Sequence, residues 1–115
     1  MKNAVILVTR QGFGTTGPED SGSGIEMLDK FSHTLESRPD KPKAVCFYTE
    51  GVKLLGPGSP VELGLKLLEK LGIELYACQS CLEYYKMSDD IVAGQKSNMV
   101  EIVQLISKAE KVITV

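Results

Sequence analysis

Short runs of aliphatic and β-branched residues alternate along the chain with segments of helical periodicity, and this alternation restricts the fold more than any other feature. Strands that alternate with helices form a parallel sheet, because each parallel connection needs a crossover segment. We therefore expect an α/β fold with three layers, α/β/α, around a mainly parallel five-stranded sheet. The five predicted strands are Ala4–Thr9, Ala44–Tyr48, Ile73–Ala77, Ile91–Ala93 and Lys111–Val115.

Each predicted helix begins with a capping-box signal, in which Ser or Asn is followed three residues later by Glu. The four pairs are Ser23/Glu26, Ser59/Glu62, Ser80/Glu83 and Asn98/Glu101. Apolar residues at spacings of three and four mark the helix faces that should pack on the sheet. These residues are Ile25, Leu28, Phe31 and Leu35, then Val61, Leu65 and Leu68, then Met99, Ile102, Val103 and Ile106.

Length and composition narrow the classes of function. The 115 residues supply one compact core, so we expect a single domain that spans residues 1–115. A net charge of −2 makes nucleic acid an improbable partner. The apolar run Ala4 to Val8 is too short for a signal peptide, and no run approaches the ~20 residues that cross a bilayer. We therefore expect a cytoplasmic protein without a membrane span, whose three cysteines are free thiols.

The most informative segment is Cys78-Gln79-Ser80-Cys81, where the third strand ends and a short helix begins. With Ser80 as the N-cap, Cys81 would be the first helical residue, at the positive end of the helix dipole. That position favours a thiolate or a persulfide anion. Sites in open α/β sheets also gather beyond the carboxyl ends of the strands. Cys81 is therefore the candidate nucleophile, and Cys78 is its C-x-x-C partner.

The C-x-x-C spacing leaves two other interpretations open, a redox dithiol and a pair of small residues packed at a strand end. A zinc site is disfavoured, because the chain adds only Cys46 and His33 to the pair. Cys46 lies inside a strand and should be a core residue. His33 lies on the polar side of the first helix and should not act as a base. We expect no metal and no cofactor.

A glycine motif, Gly12-Phe13-Gly14-Thr15-Thr16-Gly17, has the G-x-G-x-x-G spacing of dinucleotide-binding proteins. Pro18, Glu19 and Asp20 follow at once, where they would break a helix and repel a pyrophosphate. The acidic residue expected roughly twenty positions later is also missing. We therefore expect a surface loop without nucleotide, or a lid over Cys81 if the strand order brings the two together. Residues 51–58 are expected to form a second glycine-rich loop.

Several segments between Gly22 and the end of the chain match one known family. They are Gly22–Gly24, Phe47–Leu54, Cys78–Leu82 with Tyr84-Tyr85, Val92–Gly94 and Ser97–Met99. Together they resemble the C-terminal DsrE-like domain of YedF-type selenium-metabolism proteins, which belongs to the DsrE/DsrF-like family. The resemblance implies a flavodoxin-like layered fold and a homo-oligomer. It also implies a sulfur-relay, sulfurtransferase-like function in which Cys81 carries sulfur as a persulfide.

YedF-type proteins usually carry a TusA-like domain before the DsrE-like part, whereas this sequence starts at the first predicted strand. The resemblance therefore implies a separate TusA-like chain as the sulfur-carrying partner. A link to selenium is implied by the family name alone, and we assert no selenium substrate. The alternatives are a non-catalytic oligomeric binding or regulatory module with structural cysteines, and a thiol-disulfide oxidoreductase that uses Cys78 and Cys81.

Three polar residues are candidates for substrate binding. Lys53 and Lys96 should lie in loops after strands, where a cation would stabilise a thiolate or persulfide at Cys81. Asn98 is the third candidate, although capping the last helix would account for it equally well. Tyr84 and Tyr85 are adjacent on a helix and cannot both face one side, so one of them should point inward.

Overall fold

The computed structural model describes residues 1–115. Five strands alternate with four α-helices, and a 3-10 helix follows the second strand. The elements in order are β1 Ala4–Val8, α1 Ser23–Ser37, β2 Ala44–Phe47, the 3-10 helix Thr49–Leu55, α2 Glu62–Lys70, β3 Glu74–Cys78, α3 Gln79–Tyr84, β4 Gln95–Ser97, α4 Met99–Lys108 and β5 Lys111–Thr114.

The strands form one sheet in the order β4-β3-β2-β1-β5, and every neighbouring pair is parallel. This confirms the predicted α/β fold, and the sheet is wholly rather than mainly parallel. Because all strands run in one direction, their carboxyl ends meet at a single edge of the sheet. The ends of β3, β2 and β1 therefore lie side by side there, each followed by the segment that leads to the next helix.

The two faces of the sheet pack against different helices. Ile6 and Val8 of β1 belong to a core cluster that includes Leu28 of α1 and Leu65 of α2. The alternate residues of the strands point to the other face, where Ile102 of α4 packs among them. The side chains on that second face are Val5, Leu7, Ala44, Cys46, Tyr76 and Cys78. Burial on both faces explains why β1 and β2 read as continuous apolar runs.

The fourth strand lies at Gln95–Ser97, so the prediction of a strand at Ile91–Ala93 is wrong. Loop contacts satisfy the backbone of the predicted segment and of the glycine after it. The N–H of Val92 donates to the carbonyl oxygen of Leu55, and the N–H of Gly94 donates to the Glu69 carboxylate. Gly94 has a left-handed backbone, with φ of 81°, and turns the chain into β4. The apolar character of this segment reflects the burial of Ala93 in loop packing and does not indicate a strand.

The capping prediction is wrong at the start of α1. Gly22 is the N-cap, and Ser23 is already helical. The Asp20 carboxylate accepts hydrogen bonds from the N–H groups of Gly22, at 3.0 Å, and Ser23, at 2.8 Å. These bonds, together with one from the Ser23 hydroxyl, lower the pKa of Asp20. An aspartate three residues upstream therefore performs the role predicted for the serine.

The capping predictions for α2 and α4 have different outcomes. At α2 the Ser59 hydroxyl accepts from Val61 N–H at 3.3 Å, and the Glu62 carboxylate accepts from Gly58 N–H at 3.2 Å. Neither bond is one of the reciprocal pair of a capping box, and Val61 is the N-cap, so the prediction for Ser59 and Glu62 is wrong. At α4 the prediction is confirmed, because the Asn98 side chain accepts from Glu101 N–H at 2.9 Å.

The predicted helix faces are partly confirmed. The α2 set, Val61, Leu65 and Leu68, is fully buried, whereas in α1 Leu28 and Leu35 are buried and Ile25 and Phe31 are half-buried. In α4 only Ile102 is buried, Ile106 is half-buried, and Met99 and Val103 are exposed, so core packing was wrongly predicted for those two. No helix has the length and apolar character that crossing a membrane requires.

Candidate functional site

Cys81 lies at the carboxyl edge of the sheet, but not at the first position of a helix. Strand β3 runs through Cys78, one residue further than predicted, and α3 begins directly at Gln79. Cys78 is therefore the N-cap and Cys81 is the third helical residue. Ser80 is exposed inside the helix, and α3 has no side-chain cap. The predicted Ser80 N-cap is thus wrong, although the predicted sheet edge is right.

The Cys81 sulfur accepts a hydrogen bond from the backbone of the segment that follows β2, the strand next to β3. The N–H of Thr49, the first residue of the 3-10 helix, donates to Cys81 Sγ at 3.1 Å. Thr49 has φ of 49°, a left-handed conformation that is uncommon for a β-branched residue. Its hydroxyl donates to the carbonyl oxygen of Thr9 at 2.7 Å, which ties it to the end of β1. Conformations of this kind cluster at functional sites.

Gly51 fixes the place of the 3-10 helix that carries Thr49. A Cβ at residue 51 would lie 2.1 Å from the carbonyl oxygen of Val8 and 2.8 Å from its carbonyl carbon. No side chain fits there, since the neighbour is backbone. The close contact holds the 3-10 helix against the end of β1 and so holds Thr49 beside Cys81. The sequence prediction of a loop over residues 51–58 missed this helix and gave neither Thr49 nor Gly51 a role.

The electrostatic environment favours the protonated form of Cys81. Burial raises the pKa of the Cys81 thiol, and the hydrogen bond from Thr49 N–H opposes that increase. The neighbouring Cys78 thiol raises the pKa further, and the net direction is upward. The expectation that a helix start would favour the thiolate is therefore wrong for the resting protein. Thr49 N–H is the backbone donor that favours ionisation of the sulfur.

The other two cysteines lie under the surface on the α4 side of the sheet. Cys78 is 5% exposed, and Cys81 packs against the same apolar cluster. Cys46 is completely buried there, and this burial, with the nearby Glu101 carboxylate, raises its pKa to about 11. Its predicted core position is confirmed. All three cysteines are free thiols, and no three His, Cys, Asp or Glu side chains form a group that could hold a metal ion.

Neither candidate lysine lies against the Cys81 sulfur. The Lys53 Nζ lies 4.4 Å from the centroid of the Tyr85 ring, a cation–π contact. Lys96 lies inside β4 rather than in a loop, opposite Ala77, and its Nζ is 3.8 Å from the Asp89 carboxylate. Neither lysine contributes to the pKa of Cys81. Their predicted contact with substrate stays a prediction.

The two tyrosines and Asn98 border the same region. Tyr85 is half-buried and packs against the core, whereas Tyr84 is exposed, so the prediction that one of them points inward is confirmed. Asn98 follows Ser97, which pairs with Cys78 across β3 and β4. It therefore lies at the carboxyl edge near the thiols. Its side-chain oxygen is engaged as the cap of α4, while a role in substrate binding stays a prediction.

The glycine loop forms the rim of a polar cavity of about 320 Å³ at the end of β1. Arg10, Asp20 and Glu50 line the cavity together with the loop backbone. The loop is anchored to α1, because Phe13 N–H donates to the Gly24 carbonyl oxygen at 2.8 Å and its ring packs on Phe31. Asp20 already accepts the first N–H groups of α1, the groups that a phosphate would need.

This cavity adjoins the thiol site through the 3-10 helix. Glu50, in its wall, is the residue after Thr49, and strand β2 lies between β1 and β3. The glycine loop, Thr49 and Cys81 therefore follow one another along the carboxyl edge. The strand order thus meets the condition set for a lid, although in this arrangement the loop lies beside the sulfur with Thr49 between them.

Comparison with known proteins identifies a family. A family model described as "DsrE/DsrF-like family" matches residues 13–115. Similar solved structures include the ychN protein from E. coli, with 17% identity, a TM-score of 0.67 and 100% of each chain covered. The MTH1491 protein of Methanobacterium thermoautotrophicum, described as of unknown function, has 20% identity and a TM-score of 0.71 over 97% of each chain.

A third similar structure is BT1422 from Bacteroides thetaiotaomicron, a conserved protein described as of unknown function. It has 18% identity and a TM-score of 0.69, with 98% of this chain and 95% of that chain covered. A comparison with curated proteins finds no match. At these identities the structural matches establish the shared fold only, and the family match extends over nearly the whole chain.

Proposed function

Since the chain belongs to the DsrE/DsrF-like family, a membership that implies a sulfur-relay type of function, we propose that it carries sulfane sulfur as a persulfide on Cys81. A donor persulfide transfers its outer sulfur to the Cys81 thiol, which gives a Cys81 persulfide and the donor thiol. An acceptor thiol then takes the same sulfur and regenerates the Cys81 thiol. Each step exchanges one S–S bond for another, with one proton moved and no net oxidation.

The observation that carries the proposal is the hydrogen bond from Thr49 N–H to Cys81 Sγ. In the delivery step the acceptor attacks the outer sulfur, and negative charge develops on Cys81 Sγ as the leaving group. A fixed N–H donor aimed at that atom stabilises the charge where it forms. Because the pKa of Cys81 is raised above its ordinary value of 9.0, the resting thiol is mostly protonated at neutral pH.

The finer parts of the proposal concern the partner and the substrate. We propose a YedF-like role, linked to selenium metabolism, in which a separate TusA-like chain is the donor or the acceptor. Lys53, Lys96 and Asn98 are proposed to bind the partner's reactive segment along the edge beside Cys81. A cytoplasmic location is part of the proposal, because free cysteines persist in a reducing compartment.

Sulfur loading tests the proposed function directly. Reduced protein is incubated with inorganic polysulfide, and the adduct is located by mass spectrometry of the intact chain and of its peptides. We expect one added sulfur atom on Cys81 in the wild type and none at that position in Cys81→Ser. Cys46→Ala, which removes a fully buried thiol elsewhere on the sheet, is the matched control and should load as the wild type does.

Absence of added sulfur on Cys81, with Cys81→Ser indistinguishable from the wild type, would contradict the relay function. It would favour a binding or regulatory module with structural cysteines. The contact between the Cys78 and Cys81 thiols favours a second candidate, a thiol-disulfide oxidoreductase. That candidate requires a reversible disulfide in the absence of any sulfur donor, so a pair that stays reduced under mild diamide would exclude it.

A further inference from the structure

The C-x-x-C pair has the geometry of an intramolecular reaction site. Cys78 is the N-cap of α3, with φ of −65° and ψ of 117°, and Cys81 stands three residues later in the first turn. Side chains three residues apart on a helix are neighbours on one face, and a C-x-x-C pair placed this way can react within the chain. Both thiols pack against one apolar cluster. The Cys78 thiol is also close enough to shift the pKa of the Cys81 thiol, so the two thiols are neighbours in space.

The two thiols differ in their access to other molecules. Cys81 is half-buried at the carboxyl edge, whereas Cys78 is only 5% exposed. A partner's persulfide therefore meets Cys81 and not Cys78. Cys81 lies in the same helical turn as Cys78, whereas the third thiol, Cys46, is fully buried on β2 and cannot be loaded from outside.

We propose that Cys78 is a resolving thiol, which discharges a persulfide on Cys81 that no acceptor has taken. Cys78 sulfur attacks Cys81 Sγ, the S–S bond of the persulfide breaks, and a Cys78–Cys81 disulfide forms. The outer sulfur leaves as hydrogen sulfide and takes the Cys78 proton with it. The persulfide's sulfane sulfur is reduced to sulfide while the two cysteines are oxidised, so electrons balance. A dithiol reductant then reopens the disulfide. This inference rests on the proposed function.

Delivery and discharge differ in which sulfur is attacked. An acceptor attacks the outer sulfur and expels Cys81 Sγ, which Thr49 N–H stabilises. Cys78 lies on the inner side and reaches Sγ itself, so the outer sulfur is the group expelled. The same persulfide can therefore react in two ways, with a partner's thiol at its outer sulfur or with the Cys78 thiol at Sγ. Discharge limits the time for which an undelivered sulfur remains on the protein.

The decay of loaded protein tests the role of Cys78. Reduced wild type, Cys78→Ala, Cys78→Ser and Cys46→Ala are loaded with inorganic polysulfide, freed of donor by gel filtration and sampled by intact mass spectrometry. In the wild type the added sulfur should disappear, leaving a mass two hydrogens below that of the reduced protein and an equal amount of free sulfide. Both Cys78 variants should retain the added sulfur roughly tenfold longer or more, because the intramolecular thiol is absent.

The Cys46→Ala variant should decay as the wild type does, since Cys46 lies on another strand and keeps the C-x-x-C pair intact. Equal retention of sulfur in the wild type and both Cys78 variants overturns the inference, and so does a disulfide mapped to Cys46. Failure of the proposed function looks different. In that case the Cys78 variants, which cannot discharge, also gain no sulfur on Cys81, and both proposals fall together.

Discussion

At the scale of single residues, burial and one hydrogen bond have opposite effects on the protonation state of Cys81. Burial and the Cys78 thiol favour the neutral form, and the Thr49 N–H favours the charged form. No lysine contributes, so the net effect is a raised pKa. A carrier thiol with this property is protected from unselective reaction while no partner is bound, because the thiolate is the reactive species.

The pH dependence of alkylation measures this balance. The ordinary pKa of the thiol is 9.0 and the folded protein raises it, so the rate of Cys81 modification by iodoacetamide should still be increasing above pH 9.0. The rate is followed on the Cys81 peptide by mass spectrometry. The same chain unfolded in guanidinium chloride is the control and should level off at lower pH. A plateau below about pH 8 in the folded protein would contradict the burial argument.

At the scale of elements, the periodicity of apolar residues predicted the strands and helix faces that depend on local sequence. The strands β1, β2, β3 and β5 and the buried face of α2 were found because each carries a continuous apolar run or a three-and-four spacing. The prediction of β4 was wrong because Ala93 is buried by loop packing, and the sequence pattern cannot distinguish this kind of burial from burial in a strand. Met99 and Val103 were wrongly assigned to the core because spacing shows an apolar face without showing what covers it.

The candidate site was predictable only in part for the same reason. The position of Cys81 after a strand placed it at the carboxyl edge, as the structure has it. Thr49 lies 32 residues earlier, and only the pairing of β2 with β3 brings its N–H to the sulfur. The left-handed backbone at Thr49 has no signal in the sequence, since threonine rarely adopts it. The Thr49 contact is made by a backbone group and depends on the strand order, so no pattern of side chains in the sequence could reveal it.

A Gly51→Ala substitution tests the role of the 3-10 helix. The added Cβ would lie 2.1 Å from the Val8 carbonyl oxygen, so the 3-10 helix must move away from β1. We expect a loss of about 1–3 kcal/mol in the free energy of unfolding, measured by chemical denaturation, as for other overpacked sites. Sulfur delivery from Cys81 to an acceptor thiol should slow as well, because Thr49 moves with the helix.

Gly17→Ala is the control for that substitution, because a Cβ at residue 17 meets no atom within 4 Å. It should leave both stability and delivery close to those of the wild type. If Gly51→Ala keeps full stability, the close packing of the 3-10 helix on β1 is refuted. If it loses stability but delivers sulfur at the wild-type rate, Thr49 has no part in the transfer.

At the scale of the whole molecule, the two faces of the sheet are covered unequally. Two helices, α1 and α2, pack on one face, and α4 packs on the other. The outward side of α4 carries Met99, Val100 and Val103, all exposed, and Val112 of β5 is exposed as well. Family resemblance implies a homo-oligomer, and these apolar residues are the side of the molecule on which we expect a second copy.

Light scattering coupled to gel filtration tests that expectation. The wild type should have a mass that is a multiple of the 12.5 kDa chain. Val100→Lys introduces a charge on the α4 surface, where residue 100 is 72% exposed, and should shift the protein toward the monomer. Leu63→Lys, at an 85% exposed leucine on α2, is the matched control and should leave the mass unchanged. A monomeric wild type would contradict the oligomer, and an effect of Leu63→Lys alone would move it to the other face.

The pairing of β1 with β5 also determines when the sheet can be completed as the chain is synthesised. Ala4 is bonded in register to Lys111, so the first strand in the sequence waits for the last before both of its edges are filled. Ribosomal synthesis delivers β2 early and β5 last. Until then β1 presents one open side at the end of an incomplete sheet. Closing so long a loop is slow, so the pairing of β1 with β5 should be a late step of folding.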